Sequence, residues 1–544
     1  MQKMPTYEEI YASFRWNIPA RYNIAADVCD RHADDPSKIA LIGEGDDGKA
    51  WQLTFRDVQR EANRVANLLC SIGLSKGDRV MLLLGQNPWA AIGHVACWKA
   101  GLVSVPVSAL FAADAVAYRL NHVNARVVIT DVANLPTATR ARAQAAEPVR
   151  IYLIDGREPE AESLVEAIEK ARDSFTNVDT SSEDPAFLNF TSGTTGNPKG
   201  ALQAHRSMLG HLPGAEFSLD FFPQPGDLMW SPADWAWLAG LMDVLMPAWY
   251  HGVPVLTFRA PRFDPEQAFA MIGRHSVRTT LLVPTMLRLM RQVPNPVERF
   301  GARLRAIYSG GEPVGKELLE WSAEVLNLPI NEVFGQTECN LVLGSNASVM
   351  PIKPGSIGRA VPGHVAAIVD DAGQPVPCGT IGNIAFRRPD PVMMLEYWHN
   401  EEATRDKYAN DWLLTGDLGT CDEEGYFWFQ GRADDVITSG GYRIGPAEIE
   451  DALVRHPAVV MAAAIGVPDP TRTESIKAFV ILKDGTERSH ELSEEIRSFV
   501  REHLAKHEVP REIEFVDALP MTTTGKIQRR KLREAERIKA AGAI

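Results

Sequence analysis

Between Thr54 and Val107 the spacing of apolar residues changes twice, and this constrains the fold more than any other stretch of the chain. Phe55, Val58, Ala62, Val65 and Leu69 recur on one helical face. Thr54 is placed to cap that helix and Gly73 to end it, so residues 54–73 are predicted helical. Arg79–Leu84 then reads as a buried strand, Asn87–Ala100 as a helix and Leu102–Val107 as a second strand. A β-α-β order requires a parallel sheet covered by helices. Short apolar runs at Ala125–Thr130, Val149–Ile154, Thr279–Val283 and Leu304–Tyr308 extend the pattern. With 544 residues the chain is long enough for several cores and more than one domain.

After about residue 355 the pattern changes. His364–Asp370 and Gly382–Phe386 flank the turn-rich Asp371–Gly379, and Trp412–Leu414 and Tyr426–Phe429 flank Asp422–Gly425, which predicts antiparallel hairpins. Beyond Gly431 an α+β pattern follows. It has helices near Pro446–Val454 and Ser493–Lys506, and strands near Val459–Gly466, Ile476–Leu482 and Ile513–Val516. A boundary near Asp434 divides the chain into residues 1–433 and 434–544. The expected class is α/β: a large N-terminal domain of parallel-sheet α/β layers with a β-rich subdomain, followed by a small α+β C-terminal domain.

Chemistry first shows in Thr191–Gly200, TSGTTGNPKG, just after the apolar run Phe187–Phe190. Small residues let the backbone turn tightly and aim N–H groups inward, hydroxyls add donors and Lys199 adds a charge, as in a phosphate cradle. It is not a Walker A loop, in which Gly-Lys is followed by Ser or Thr, because Gly200 follows Lys199. Downstream lie SGGEP (Ser309–Pro313), VFGQTE (Val333–Glu338), TGD (Thr415–Asp417), GRADD (Gly431–Asp435), SGGYRI (Ser439–Ile444) and TTTGKIQRR (Thr522–Arg530).

In this order the motifs resemble the adenylate-forming (AMP-binding) superfamily over nearly the whole chain, and their wording is most similar to the medium-chain acyl-CoA synthetases. The resemblance implies a two-step ligase. A carboxylate attacks the α-phosphate of Mg-ATP to give acyl-adenylate and pyrophosphate; coenzyme A then takes the acyl group and AMP leaves. It implies that Thr191, Ser192, Gly193, Thr194, Thr195, Gly196 and Lys199 hold the β- and γ-phosphates. Gly311, Glu312 and Pro313 would lie under adenine, beside the turn at Gly335 and Gln336. Thr337 would touch the α-phosphate, Glu338 would help hold Mg²⁺, and Asp417, supported by Arg432, would bind ribose. Asp434 matches the hinge about which a mobile C-terminal domain presents two faces in turn. Lys526 lies on the adenylating face; Gly441 and Arg443 lie on the face that receives CoA, with Arg501 a candidate for its 3′-phosphate.

The same resemblance bears on the acid. Acetyl-CoA synthetases close the acyl pocket with a tryptophan where this chain has Gly335, so a larger acid is expected: short-to-medium aliphatic, about C4–C10 by the ~0.8 kcal/mol that each buried CH₂ contributes. The alternatives are an aromatic, benzoate-like acid or delivery of the acyl group to another acceptor. Trp237 matches a family aromatic in the pocket wall, whereas Trp235 departs from the usual smaller residue. Pro520-x4-Gly525-Lys526 resembles sites of lysine acetylation, which gives a lysine acetyltransferase as an expected partner. A homo-oligomer and a place in fatty acid metabolism complete the expectations.

Bulk properties narrow the classes. A net charge of −14 argues against a nucleic-acid or anionic-membrane binder. No uncharged apolar stretch reaches the ~18 residues of a membrane span. Six scattered cysteines with no CxxC pairing argue against a disulfide framework or structural zinc and fit a reducing, cytoplasmic setting.

Overall fold

The computed structural model describes residues 1–45, 49–191, 198–258, 262–432, 435, 437–439, 442–469, 473–504, 508–522 and 527–542. The helix expected from Thr54 runs Phe55–Ser71. Its start is a capping box: the Thr54 side chain accepts from the Asp57 N–H, and the Asp57 carboxylate accepts from the Thr54 N–H. Phe55, Val58, Ala62, Val65 and Leu69 are all buried, each large side chain contributing ~1.5–3 kcal/mol relative to exposure. The next helix, Pro88–Lys99, starts at Asn87, whose side chain accepts from the Ala90 N–H, with Pro88 in the first turn.

Two large sheets follow from this alternation. The first runs, in spatial order, Glu396–Tyr397, Gly200–Ala204, Pro185–Phe190, Val103–Val107, Arg79–Leu83, Val127–Thr130, Arg150–Leu153 and Glu162–Ser163. It is parallel except for its first three strands, which pair antiparallel. In the second, Ile39–Glu44, Val255–Thr257, Met229–Trp230, Thr279–Leu281, Ala306–Gly310 and Ile330–Gln336 are parallel neighbours. The sheet then continues antiparallel through Cys339–Gly344, Ser356–Ala360, Phe427–Arg432, Trp412–Cys421, Gly382–Arg387 and Ala366–Val369, the expected β-rich part. One apolar core joins the two sheets, with Phe55, Trp98, Phe187, Trp235 and Trp249 among its largest members.

A third sheet is formed by Tyr442–Ile444, Ile437–Ser439, Thr473–Leu482, Val459–Asp469 and Glu512–Phe515. The helices Pro446–Val454 and His490–His503 contribute Ile449, Leu453, Ile496 and Val500 to its core. Among the described residues, no helix is long and apolar enough to cross a membrane.

Some boundaries differ from the expectation for local reasons. The helix expected at Ser493 begins at His490, because Ser489 caps it by accepting from the Leu492 N–H. The strand expected over Trp412–Leu414 continues to Cys421, so the TGD motif lies inside a sheet rather than at a hairpin tip. The last motif leads into a helix, Arg529–Gly542, anchored by ion pairs that include Arg529 with Glu450 at 2.6 Å and Arg533 with Asp435 at 2.7 Å.

Candidate active site

The site is built where the parallel strands of the second sheet end and its antiparallel part begins. Ile330–Gln336 is the last parallel strand; it turns at Thr337 and Glu338 and returns antiparallel as Cys339–Gly344. The ladder shifts register between Phe334 and Gln336, so Gly335 sits at an irregularity. A Cβ on Gly335 would lie 2.4 Å from both the Asn340 Oδ1 and the Leu341 N. Glycine is thus required there by the returning strand, independently of any effect on an acyl pocket.

Three consecutive residues, Gln336, Thr337 and Glu338, reach three different parts of the molecule. The Gln336 amide donates to Asp417 Oδ2 at 2.7 Å and to the Thr415 carbonyl at 2.9 Å. Lys407 Nζ donates to Gln336 Oε1 at 3.2 Å and to the carbonyls of Leu414 and Thr415, which fixes the orientation of that amide. The Thr337 carbonyl accepts from the Gln203 amide at 2.6 Å, tying the turn to the first sheet. The Glu338 carboxylate, 7% exposed, accepts from the Tyr397 hydroxyl. Burial and the adjoining carboxylate push the Tyr397 phenol far up, so it stays protonated and remains a donor.

Asp417 stands opposite Arg432 across the ladder, with Oδ1 accepting from the guanidinium at 3.3 Å. The preceding Gly416 has φ +75°, a left-handed conformation that kinks the strand at this point. Ala306–Gly310 ends in a turn at Gly311, φ +87°, the turn expected to lie under adenine. The Glu312 carboxylate accepts from Thr285 Oγ1 at 2.9 Å and from Arg288 at 3.4 Å, which ties the turn to the helix Pro284–Met290.

The phosphate-loop motif connects Pro185–Phe190 to Gly200–Ala204, antiparallel strands whose register pairs Phe190 with Gly200. Its ends are closed by a 2.8 Å bond from the Thr191 N–H to the Lys199 carbonyl. Lys199 Nζ lies 5.1 Å above the Tyr397 ring, so the loop's cation and the Glu338 carboxylate meet the same aromatic side chain. Ser192, Gly193, Thr194, Thr195 and Gly196 lie outside the described residues, as do Asp434, Gly441 and Lys526. Arg443 is on the strand Tyr442–Ile444, paired with Thr438.

The aromatics of residues 230–250 separate into two groups. Trp230, Trp235 and Trp249 are core residues, each 2% exposed or less. Trp237 is half-buried and packs edge-on against Phe111, ring centroids 5.7 Å apart. Trp235, the departure from the family pattern, is therefore packing. Tyr397, Lys407 and Gln203 are contributors that sequence motifs missed. Each lies outside any motif, and Tyr397 meets Glu338 across 59 positions of chain.

Residues 29–398 match the model of the AMP-binding enzyme family, and residues 448–526 that of the AMP-binding enzyme C-terminal domain. The chain belongs to the AMP-binding enzyme family. It is 35% identical to the acetyl-coenzyme A synthetase of Bacillus subtilis (strain 168), over 99% of this chain and 97% of that protein. It is 34% identical to the mitochondrial acyl-coenzyme A synthetase ACSM3 of Homo sapiens, over 98% and 93%. Among solved structures it is similar to an anthranilate CoA ligase in complex with anthranoyl-AMP, with a TM-score of 0.89 and 31% identity over 96% of this chain and 99% of that one. A benzoate CoA ligase from Burkholderia xenovorans LB400 has a TM-score of 0.82 and 28% identity over 94% and 100%.

Proposed function

We propose that this AMP-forming acid–CoA ligase activates a short-to-medium-chain carboxylic acid, about C4–C10 by the ~0.8 kcal/mol gained per buried CH₂. The observation that carries the ligase reading is the continuity of Gln336, Thr337 and Glu338. One turn joins the ribose carboxylate Asp417 to the buried acid Glu338 and, through Tyr397, to Lys199 of the phosphate loop. Full-length similarity to acyl-coenzyme A synthetases supports the same reading.

In the adenylating step Asp417 accepts from the ribose hydroxyls, with Gln336 and Arg432 fixing its two oxygens. Thr337, oriented by Gln203, faces the α-phosphate, and Lys199 with the loop residues 191–196 steadies the departing pyrophosphate. Among the described residues no group of three or more His, Cys, Asp or Glu converges. Glu338 thus offers a single hard-oxygen ligand, which suits Mg²⁺ completed by phosphate oxygens and water. Bound there, Mg²⁺ would neutralise phosphate charge.

Lys526 belongs to this step, and Gly441 and Arg443 to the transfer to CoA, after residues 434–544 turn about Asp434. That assignment rests on the resemblance and on the C-terminal family match. Acetylation of Lys526 by a lysine acetyltransferase belongs to the same proposal; intact-mass analysis of the natural protein that finds this lysine always unmodified contradicts it. A reducing, cytoplasmic setting rests on the six free cysteines.

An aromatic acid is the second reading. The Trp237–Phe111 wall favours it, as does the similarity to ligases described for anthranilate and benzoate. AMP release over a panel of linear and aromatic acids separates the two. Acetate is expected to be poor, and acetate with the highest kcat/KM contradicts the pocket argument.

A further inference from the structure

Asp243 is a buried acid for which the reaction just described has no use. It lies on the π-helical segment Ala239–Leu245, in the same run as the half-buried Trp237, and is 4% exposed. Its neighbours along the segment, Leu241, Met242, Val244 and Leu245, are all buried and apolar. Among the described residues the hydrogen bond to its carboxyl is a single one, from the Asn340 amide to Oδ1 at 2.7 Å. No described salt bridge reaches it, and burial raises its pKa strongly.

A carboxyl so placed costs several kcal/mol unless a cation or further donors meet it, and an apolar side chain of that size costs nothing comparable. When ionised by a neighbouring cation, its carboxylate has roughly four acceptor sites, of which the Asn340 amide takes one.

Position gives this residue its meaning. Asn340 Oδ1 stands 2.4 Å from where a Gly335 Cβ would be, so the Asp243–Asn340 pair backs directly onto the strand leading into Gln336 and Thr337. The Asp243 carbonyl accepts from the Tyr308 hydroxyl, on the strand that ends in the Gly311–Pro313 turn. The strands carrying the adenine turn and the Thr337 turn, and the helical segment following Trp237, therefore meet at Asp243. π-Helical turns recur at functional sites.

We propose that Asp243, held by Asn340, is a polar specificity subsite that takes an amino substituent on the carboxylic acid substrate. The proposal rests on the ligase reading and narrows its substrate class. An amine fills the acceptor sites that Asn340 leaves, and as an ammonium it also balances the carboxylate charge. A methyl group at that place leaves the acid uncompensated. Sites built to hydrogen-bond a substituent discriminate strongly against analogues that lack it.

The experiment is acid-dependent ATP–pyrophosphate exchange with matched pairs: the aminobenzoates against the methylbenzoates, and 4-aminobutyrate against pentanoate, with the hydroxyl analogues alongside. In the wild-type chain, at least one amino acid of the panel is expected to exceed its methyl partner in kcat/KM by about ten-fold or more. In Asp243→Asn and Asp243→Leu that ratio is expected to fall to about one or to invert. Because it is a ratio within each protein, partial loss of folded material does not affect it. The inference is overturned if the methyl partner wins every pair in the wild type, if only hydroxyl analogues are preferred, or if both variants keep the amino preference. Exchange with unsubstituted acids but no amino preference removes the inference alone; no exchange with any acid removes the ligase reading and the inference together.

Discussion

The Tyr397 hydroxyl donates to the Glu338 carboxylate, and Lys199 stands over the same tyrosine ring. One side chain from the edge strand of the first sheet thereby holds the acid assigned to Mg²⁺ and meets the cation of the phosphate loop. A hydrogen bond to a buried charged group contributes roughly 1.5–3 kcal/mol, and partners that orient a metal-binding carboxylate typically matter 10–100-fold. Tyr397→Phe keeps the ring under Lys199 and removes only the donor. The adenylation rate is expected to fall about 10–100-fold, with the Mg²⁺ concentration for half-maximal rate rising. A titration of initial rate against Mg²⁺ checks this; an unchanged half-point with an unchanged rate contradicts the positioning role.

Asp417 is held from both sides, by Gln336 on one oxygen and Arg432 on the other, and Lys407 holds Gln336 in turn. Asp417→Ala is expected to raise the KM for ATP by at least about ten-fold, the equivalent of about one charge-assisted hydrogen bond. Lys407→Met should raise it less, and the double variant should cost less than the sum, because Lys407 acts through Gln336 on the same carboxylate. Strictly additive effects in the double-mutant cycle contradict the chain Lys407–Gln336–Asp417.

Lys526 is assigned to the first half-reaction alone. Lys526→Ala is expected to lose adenylation by ~10²–10³-fold or more, as when an aimed donor is removed from developing charge. Thioester formation from supplied acyl-adenylate and CoA should survive. Single-turnover rates of the two halves decide it, and equal damage to both contradicts the assignment of separate faces.

Three of the buried histidines, His94, His205 and His211, are expected to make the fold sensitive to acid. Burial lowers the pKa of His94 and His205 to about 3 and of His211 to about 4, from an ordinary 6.5. A lowered folded-state pKa means that the stability is fully present above about pH 6.5 and is lost as pH falls toward the folded values. Each such histidine adds up to one proton taken up on unfolding, so the three together give a slope of up to ~4 kcal/mol per pH unit. His94 is bonded through Nδ1 to Ser104 Oγ at 2.8 Å. His94→Asn is expected to lower overall stability but to reduce the pH slope between pH 6 and 5 by about one proton. Urea unfolding midpoints at several pH values measure this; an unchanged slope contradicts it.

The order of elements was legible because its causes are local: Thr54 and Asn87 announce their helices, and apolar runs mark the buried strands. The motif residues Gln336, Thr337, Glu338 and Asp417 were also legible. What joins them was not. Tyr397 and Lys407 act through contacts far apart in the chain, and neither periodicity nor turn chemistry singles them out in the sequence. The aromatic cluster was ambiguous for the same reason, since only packing separates the buried Trp235 from the half-buried Trp237. Gly335 pointed to a missing side chain, but the close approach of Asn340 and Leu341 that excludes one lies in the backbone fold.

The central claim is that this chain makes an acyl-adenylate and then a thioester. It is tested most directly by supplying the purified protein with Mg-ATP, labelled pyrophosphate and a panel of carboxylic acids, first without CoA and then with it. Acid-dependent exchange of label into ATP is expected without CoA, with stoichiometric AMP and acyl-CoA once CoA is added. Absence of exchange with every acid contradicts catalysis of adenylation; exchange with no thioester on adding CoA contradicts the assignment of CoA as the acceptor.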